Sequence, residues 1–196
     1  MPHDQGPVLD LFEKTGAYLR GHFRLTSGKH SPEYLQSALV LQYPPYAEQL
    51  GRLMAEAFRR VAAEPIQTVA APALGGLIIG HEAARALGAR FVFTERDVAG
   101  KMSLRRGFHF TPGEAVVVVE DVVTTGGSAR EVVEIALAAG ARVLAAGSII
   151  DRSGGAVDIG VPRVALKTLH VTTYEADRCP LCDAGLPVVK PGSRAA

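Results

Sequence analysis

Little in this chain is present in excess, and its shortages narrow its class. Among 196 residues there are only two cysteines, so a disulfide scaffold is excluded and a reducing compartment is expected. Charge of either sign is not in surplus. The 21 basic residues meet 20 acidic ones for a net +1, which leaves no bulk field with which to grip nucleic acid. No apolar run approaches the roughly 18 residues that a membrane span needs. Residues Met1 to Asp10 carry His3 and Asp4 and lack the apolar core of a secretory leader. The expectation is a soluble cytoplasmic protein with neither nucleic-acid nor membrane partners. Apolar residues are plentiful at 47%, which argues against disorder, and the length suits one domain with room for a small appendage.

Periodicity organises the chain. "GPVLDLFEKTGAYLRG" spaces Val8, Leu11, Phe12 and Leu19 as an amphipathic helix ending near Gly21. "HFRLTSGKHSPEYLQS" reads as short strands around a Ser-Gly turn. "PPYAEQLGRLMAEAFRRVAA" opens on proline and sets Ala47, Leu50, Leu53, Met54, Ala57, Phe58 and Val61 on one helical face. "IQTVAAPALGGLIIGHEAARALGA" and "AVVVVEDVVTTGGSAREVVEIALAAGA" each read as strand, glycine turn and helix. "RFVFTE", "RVLAAGSIID" and "RVALKTL" are further strands. Between them "RDVAGKMSLRRGFHFTPGE" has no apolar period and reads as a mobile cationic loop running into a short hairpin. Strands that alternate with helices and are apolar throughout predict an α/β fold, a parallel sheet covered on both faces. The Pro- and Gly-rich tail is expected to end in disorder.

Two carboxylates interrupt the most apolar strand. Val116 to Val119 should end where Glu120 and Asp121 begin, and ligands of parallel sheets bind beyond the carboxyl ends of the strands. Thr124 to Ser128 then form a turn into a helix starting near Ala129, a site where backbone N–H groups meet an anion, most naturally phosphate. Acids would repel that phosphate, so they belong beside it, on ribose hydroxyls or Mg²⁺. Each feature alone has a bland reading, a tight connection or a solvated loop edge; together they describe a ribose 5-phosphate site. No Gly-Lys-Ser/Thr follows, as a Walker A loop requires, and the dinucleotide pattern Gly-x-Gly-x-x-Gly is absent from the turn.

The stretch "VVVVEDVVTTGGS" resembles the phosphoribosyl pyrophosphate (PRPP) motif of the type I phosphoribosyltransferases. "GHFRLTSGKHSPEYLQ" is similar to the opening of the orotate-using members, "APALGGLIIG" to the family's pyrophosphate loop, and "IIDRSGG" to its strand ending in Asp-Arg. The resemblance runs from about Leu9 to Leu169. It implies one phosphoribosyltransferase domain over residues 1–196. A core of about 46–170 would carry a central parallel sheet flanked by helices, and about 1–45 with the C-terminal segment would form a small hood. It implies transfer from PRPP to orotate with Mg²⁺ held mainly by PRPP near Asp121, in a homodimer that shares its loop across the interface. By the same resemblance PRPP would be bound by Glu120, Asp121, Val122, Val123, Thr124, Thr125, Gly126, Gly127, Ser128 and Gly75. Orotate would meet Thr124, Arg152 and Thr26, and Asp121, Lys101, Arg96 and Arg105 would be catalytic.

The chain departs from the pattern in places. Thr26 stands where many relatives carry Lys, and Leu74-Gly75 where some carry Tyr-Lys. The loop supplies Arg96, Lys101, Arg105 and Arg106 but no His in register. A phosphoribosyltransferase for another base, such as xanthine or uracil, and a non-catalytic PRPP sensor remain as alternatives. The cationic loop favours an enzyme, because a sensor has no leaving group to neutralise. Cys179 and Cys182 form a single Cys-Pro-Leu-Cys with no second pair, where a structural zinc usually needs four ligands, and His170, nine residues away, is a third candidate. A turn at the start of a small C-terminal helix is the expected role of the cysteine pair.

Overall fold

The apolar runs in the middle of the chain form the sheet that their alternation predicts. The structure is a computed structural model that describes residues 6–25 and 27–191. The chain divides into two units, one made from residues up to Val40 together with those from His170 onward, the other from Leu41–Leu169.

In the first unit α1 (Gly6–Lys14) buries Val8, Leu9, Leu11 and Phe12. It stops seven residues before the expected Gly21. Gly16 takes φ 67°, its N–H donates to the Glu13 carbonyl, and the Ala17 N–H reaches the Phe12 carbonyl. This is a Schellman end, which glycine makes without a Cβ clash. The residues beyond, Tyr18–Arg24, form β1, which pairs antiparallel with β2 (His30–Leu35). Backbone bonds tie the chain's far end to this hairpin: Val189 N–H donates to the His22 carbonyl, Arg24 N–H to Val189, and His30 and Tyr174 bond each other in both directions. A short 3-10 turn (Ala176–Arg178) precedes the C-terminal helix at Pro180–Asp183. The end of the tail, residues 192–196, where disorder is expected, lies outside the described residues.

A short α2 (Ala38–Leu41) joins the units, and α3 (Pro44–Val61) follows with proline in its first turn. Its buried face is Ala47, Leu50, Gly51, Met54, Ala55 and Phe58, narrower than the apolar pattern suggests; Val61 is exposed. Gly51 lets α3 lie close on α4 (Gly76–Leu87), where a Cβ would come within 2.6 Å of Glu82. The strands are β3 (Thr68–Pro72), β4 (Arg90–Arg96), β5 (Met102–Leu104), β6 (Ala115–Val123), β7 (Arg142–Asp151) and β8 (Arg163–Thr168). Their order is β5-β4-β3-β6-β7-β8, with β5 alone antiparallel. Helices α3 and α4 cover one face, and α5 (Gly127–Ala138) covers the other. Phe58 is fully buried and would meet a Cβ on Gly147 of β7 at 2.6 Å. Truncating a ring held this closely costs about 3–5 kcal/mol. Val116 and Val118 of β6 and Val132, Val133 and Ala136 of α5 centre the core on the opposite face. The C-terminal helix, Pro180–Asp183, is α6. Among the described residues, no helix is long and apolar enough to cross a membrane.

Candidate active site

The two acids do not follow the strand but belong to it. β6 continues through Glu120 and Asp121 to Val123, because pairing with β7 persists to Val123↔Asp151. Neighbouring side chains of a strand leave on opposite faces. Glu120 therefore borders the turn into α5, while Asp121 turns toward the loop after β3. The acids straddle the strand end rather than lying side by side. Glu120 Oε2 is buried without a hydrogen-bond partner. Burial holds its carboxyl well above the usual carboxylate range, the charge of Asp121 pushes it further, and Arg96 partly counters. The two carboxylates, one on each face of this strand end, each offer hard oxygen donors. An unpartnered buried oxygen among them is relieved by a cation, so these residues fit Mg²⁺.

The loop after β3, Ala73 to Gly75, begins with the Ala73 N–H on the Thr94 carbonyl and leads directly into α4. A side chain is impossible at Gly75 without movement, since a Cβ there would stand 2.5 Å from Asp121 Oδ1. Gly76 is as crowded, with Ala71 at 2.9 Å and the Val119 carbonyl at 3.0 Å from a Cβ position. The glycines thus let the start of α4 close on the end of β6.

On the other face, Thr124 to Gly126 turn the chain into α5, which begins at Gly127, two residues earlier than expected. Gly126 has φ 73°, and a Cβ on it would meet Val157 at 2.5 Å, so glycine is required twice over. First-turn N–H groups have no intrahelical acceptor. Here they border a cavity of about 70 Å³ lined by Glu120 and by Val122 to Ala129. The predicted PRPP residues Glu120, Val122, Val123, Thr124, Thr125, Gly126, Gly127 and Ser128 are all at this cavity, and Asp121 with Gly75 forms the adjoining contact on the reverse side.

Arg152 follows β7, and its N–H donates to the Val123 carbonyl at 2.8 Å, which sets it beside the strand end that carries the acids. The preceding Asp151, almost wholly buried, was not foreseen. It accepts from the Ser153 N–H at 2.7 Å, the Ser153 hydroxyl at 2.6 Å and Arg163 Nη1 at 3.0 Å. Burial would raise its pKa, but the Ser153 bonds and the Arg163 charge outweigh that and hold the carboxyl below its usual range. The turn that presents Arg152 is thereby fastened from below. In sequence, Asp151 stood out only as part of the strand's Asp-Arg end and of an Asp-x-Ser spacing, a common turn pattern, and neither shows its bonding role.

The cationic stretch is ordered differently from the expectation. The hairpin is its first part, not its last: β4 runs through Arg96 and pairs with β5, Arg96 opposite Met102. Asp97 closes the tip by accepting from the N–H groups of Ala99 and Lys101, both at 2.9 Å, and Gly100 takes φ 82°. An Asp side chain that satisfies its own turn makes a hairpin without apolar periodicity. Arg96 bonds the Gly100 carbonyl and pairs with Glu131 of α5. Arg106 is committed to Glu95 through two bonds at 2.7 and 2.8 Å. Lys101 and Arg105 are exposed, and among the described residues neither side chain has a hydrogen bond or ion pair. Thr26 lies outside the described residues. In the other unit Cys179 and Cys182 do stand at the start of α6, but the histidines beside them are His22 and His30, not His170.

Comparison with known proteins matches the chain to a family. The family model described as the phosphoribosyl transferase domain matches residues 38–172. A protein named orotate phosphoribosyltransferase from Desulforamulus reducens is 54% identical over 187 residues, covering 95% of this chain and 96% of its own. One of the same name from Thermotoga maritima is 49% identical, covering 95% and 98%. Among solved structures, orotate phosphoribosyltransferase from Aeropyrum pernix superposes with a TM-score of 0.71 at 28% identity, over 83% of this chain and 93% of that one. Adenine phosphoribosyltransferase from Thermoanaerobacter pseudethanolicus reaches a TM-score of 0.60 at 17% identity, covering 70% and 88%, a likeness of fold alone.

Proposed function

The chain belongs to the orotate phosphoribosyltransferases, within the phosphoribosyl transferase family, and on that premise we propose that it moves the phosphoribosyl group of PRPP onto orotate. The products are orotidine 5′-monophosphate and pyrophosphate, and the reaction is a step of pyrimidine biosynthesis. The observation that carries this reading is a likeness of 54% to an orotate enzyme along almost the whole chain, where an adenine enzyme shares the fold at 17%. A sensor that only bound PRPP would need the cavity but not the exposed cations of the hairpin.

The reacting ribose carbon becomes oxocarbenium-like as pyrophosphate departs, and the residues divide the work. The N–H groups and hydroxyls of Thr124 to Ser128 would hold the 5′-phosphate at the start of α5. Glu120 and Asp121, from the two sides of the strand end, would hold the ribose hydroxyls. Asp121 stands nearest the pyrophosphate loop, so its charge is the one placed to favour the developing cation. Asp121, with PRPP, would hold Mg²⁺, which when bound would help neutralise the departing pyrophosphate. Lys101 and Arg105 would add to that neutralisation, while Arg96, tied to Glu131, would shape the hairpin's base. The Arg152 guanidinium suits the orotate carboxylate, whose planar fork it matches, with Thr124 as a further orotate contact. No side-chain nucleophile is called for, because orotate's ring nitrogen attacks directly once aligned.

We further assign a cytoplasmic homodimer in which each hairpin tip serves the partner's cavity. The test mixes the protein with Mg²⁺, PRPP and one base at a time and follows pyrophosphate release and loss of orotate absorbance. Turnover with orotate alone is expected. Turnover with uracil or hypoxanthine while orotate is inert would assign the chain to another base. PRPP binding without turnover of any base would make it a sensor.

A further inference from the structure

We propose that His22, His30, Cys179 and Cys182 bind one zinc ion as a closed structural site that fastens the two ends of the chain together. Two of these residues come from the β1–β2 hairpin and two from the Cys-Pro-Leu-Cys knuckle at the start of α6. Their ligand atoms all lie within 4.8 Å of one another. Three of the four residues are buried, which is unusual company for a solvated polar cluster.

The N···S distances match a tetrahedron, and the N···N distance is shorter than one requires. Zinc–nitrogen bonds of about 2.05 Å and zinc–sulfur bonds of about 2.3 Å put neighbouring N and S donors about 3.5 Å apart, and two N donors about 3.3 Å. The observed N···S separations are 3.5 Å from Cys179 to His22 Nε2, 3.7 Å from Cys182 to His22 Nε2 and 3.3 Å from Cys182 to His30 Nδ1. His22 Nε2 and His30 Nδ1 stand 2.9 Å apart.

Hydrogen bonding alone does not account for the cluster. His22 Nδ1 lies 2.8 Å from the Leu186 carbonyl, which can only accept. That nitrogen therefore carries the proton, and Nε2 presents its single lone pair to the cluster. Three partners crowd that one lone pair, His30 and both sulfurs, and it can accept a hydrogen bond from only one of them. A cation at the common centre meets all four donors at once. The Leu186 contact is itself what a ligating histidine needs, an acceptor on its far nitrogen that fixes tautomer and ring orientation. A one-residue bulge between Arg20 and Phe23 re-aims His22 toward His30.

The S₂N₂ donor set selects zinc among common divalent ions and leaves no open position for a substrate, so the role is structural. It also separates this site from the all-oxygen set at Glu120 and Asp121. The first unit has need of such a staple, because a lone two-stranded hairpin is marginal in water. Binding releases the two thiol protons to solvent and forms two Zn–S and two Zn–N bonds.

The test uses the full-length chain purified without chelator. Elemental analysis is expected to find about one zinc per chain, and Co²⁺ exchanged into the site should give the intense visible bands of tetrahedral thiolate coordination. Cys182→Ser, at the exposed ligand, should lose most of the metal and those bands. Chelation should lower the melting temperature and open the chain to trypsin after Arg178. Mg²⁺ added back in excess should restore the PRPP reaction requirement but not the melting temperature, which zinc alone should recover. Wild-type protein that is folded and active yet holds no zinc and gives no such cobalt spectrum would overturn the proposal. So would Cys182→Ser and His22→Ala variants that both keep a full complement of metal.

Discussion

Replacing Gly75 by alanine should disable the enzyme without unfolding it. The backbone at Gly75 is helical, φ −58° and ψ −40°, so alanine fits there and removes some freedom from the unfolded chain. The new methyl would stand 2.5 Å from Asp121 Oδ1, 2.9 Å from Cγ and 3.1 Å from Oδ2. Ordinary contact for such atoms begins near 3.5 Å, so the carboxylate must retreat by about 1 Å. It is the end of a flexible side chain, and the retreat costs little stability. A catalytic group displaced by about 1 Å loses roughly 10²-fold in rate. The expected result is a kcat/KM for PRPP lower by about that factor, with a melting temperature equal to or slightly above the wild type. Gly88→Ala is the control at the other end of α4. Gly88 has φ 69° and open space around it, so that change should cost about 1 kcal/mol of stability and leave kcat alone. A Gly75→Ala enzyme that folds and keeps its activity within about threefold would show that Asp121's position against the loop does not matter to the chemistry.

Three further outcomes are expected. Arg152→Ala should raise the KM for orotate by roughly 10- to 100-fold, as the loss of a charge-assisted pair predicts, while an equal rise for PRPP would move the orotate anchor elsewhere. Asp151→Asn should be less stable than wild type at neutral pH. The native carboxyl is held below its ordinary value of 3.8, so its stabilisation is complete above that value and is lost as the pH falls through the lower native pKa. The gap in urea midpoint should therefore narrow in acid, and a gap that stays constant down to about pH 3 would point to packing instead. Finally, a loop variant (Lys101→Ala with Arg105→Ala) mixed with Asp121→Asn at equal amounts should regain activity in about a quarter of sites if the hairpin serves the partner, since half of freely exchanging dimers are mixed and each has one intact site. No recovery despite proven exchange would place the hairpin at its own subunit's cavity.

What was legible in the sequence was local. The run Val116 to Val119, the glycine turn at Gly126 and the helix after it are neighbours in the chain, so spacing alone revealed strand, cradle and α5. Boundaries were missed where hydrogen bonds overrode hydropathy. α1 ended at Gly16 because a Schellman cap formed there, although Leu19 continued the apolar period. The hairpin of Arg96 and Met102 was hidden because Asp97, not an apolar pattern, organises its tip. That Glu120 and Asp121 face opposite ways follows from strand alternation, but only once β6 is known to continue through them. The gathering of His22 and His30 on Cys179 and Cys182 had no local signal. Ligands separated by 157 residues become neighbours only through the fold.

The first unit is assembled from both ends of the chain, and this sets an order of events during synthesis. Leu41–Leu169 is continuous and wholly synthesised once Leu169 has left the ribosome. The β1–β2 hairpin is made first yet must wait, because Cys182 follows His30 by 152 residues. At roughly 5–20 residues per second, that interval is on the order of 8–30 s. Throughout it the two histidines are displayed without their thiols, and the hairpin lacks the backbone bonds that Tyr174 and Val189 make to it. The first unit is therefore the last to close, and a nascent chain halted anywhere before the Cys-Pro-Leu-Cys knuckle leaves its opening hairpin as an unprotected end. Closure of this unit therefore reports that synthesis has passed the knuckle.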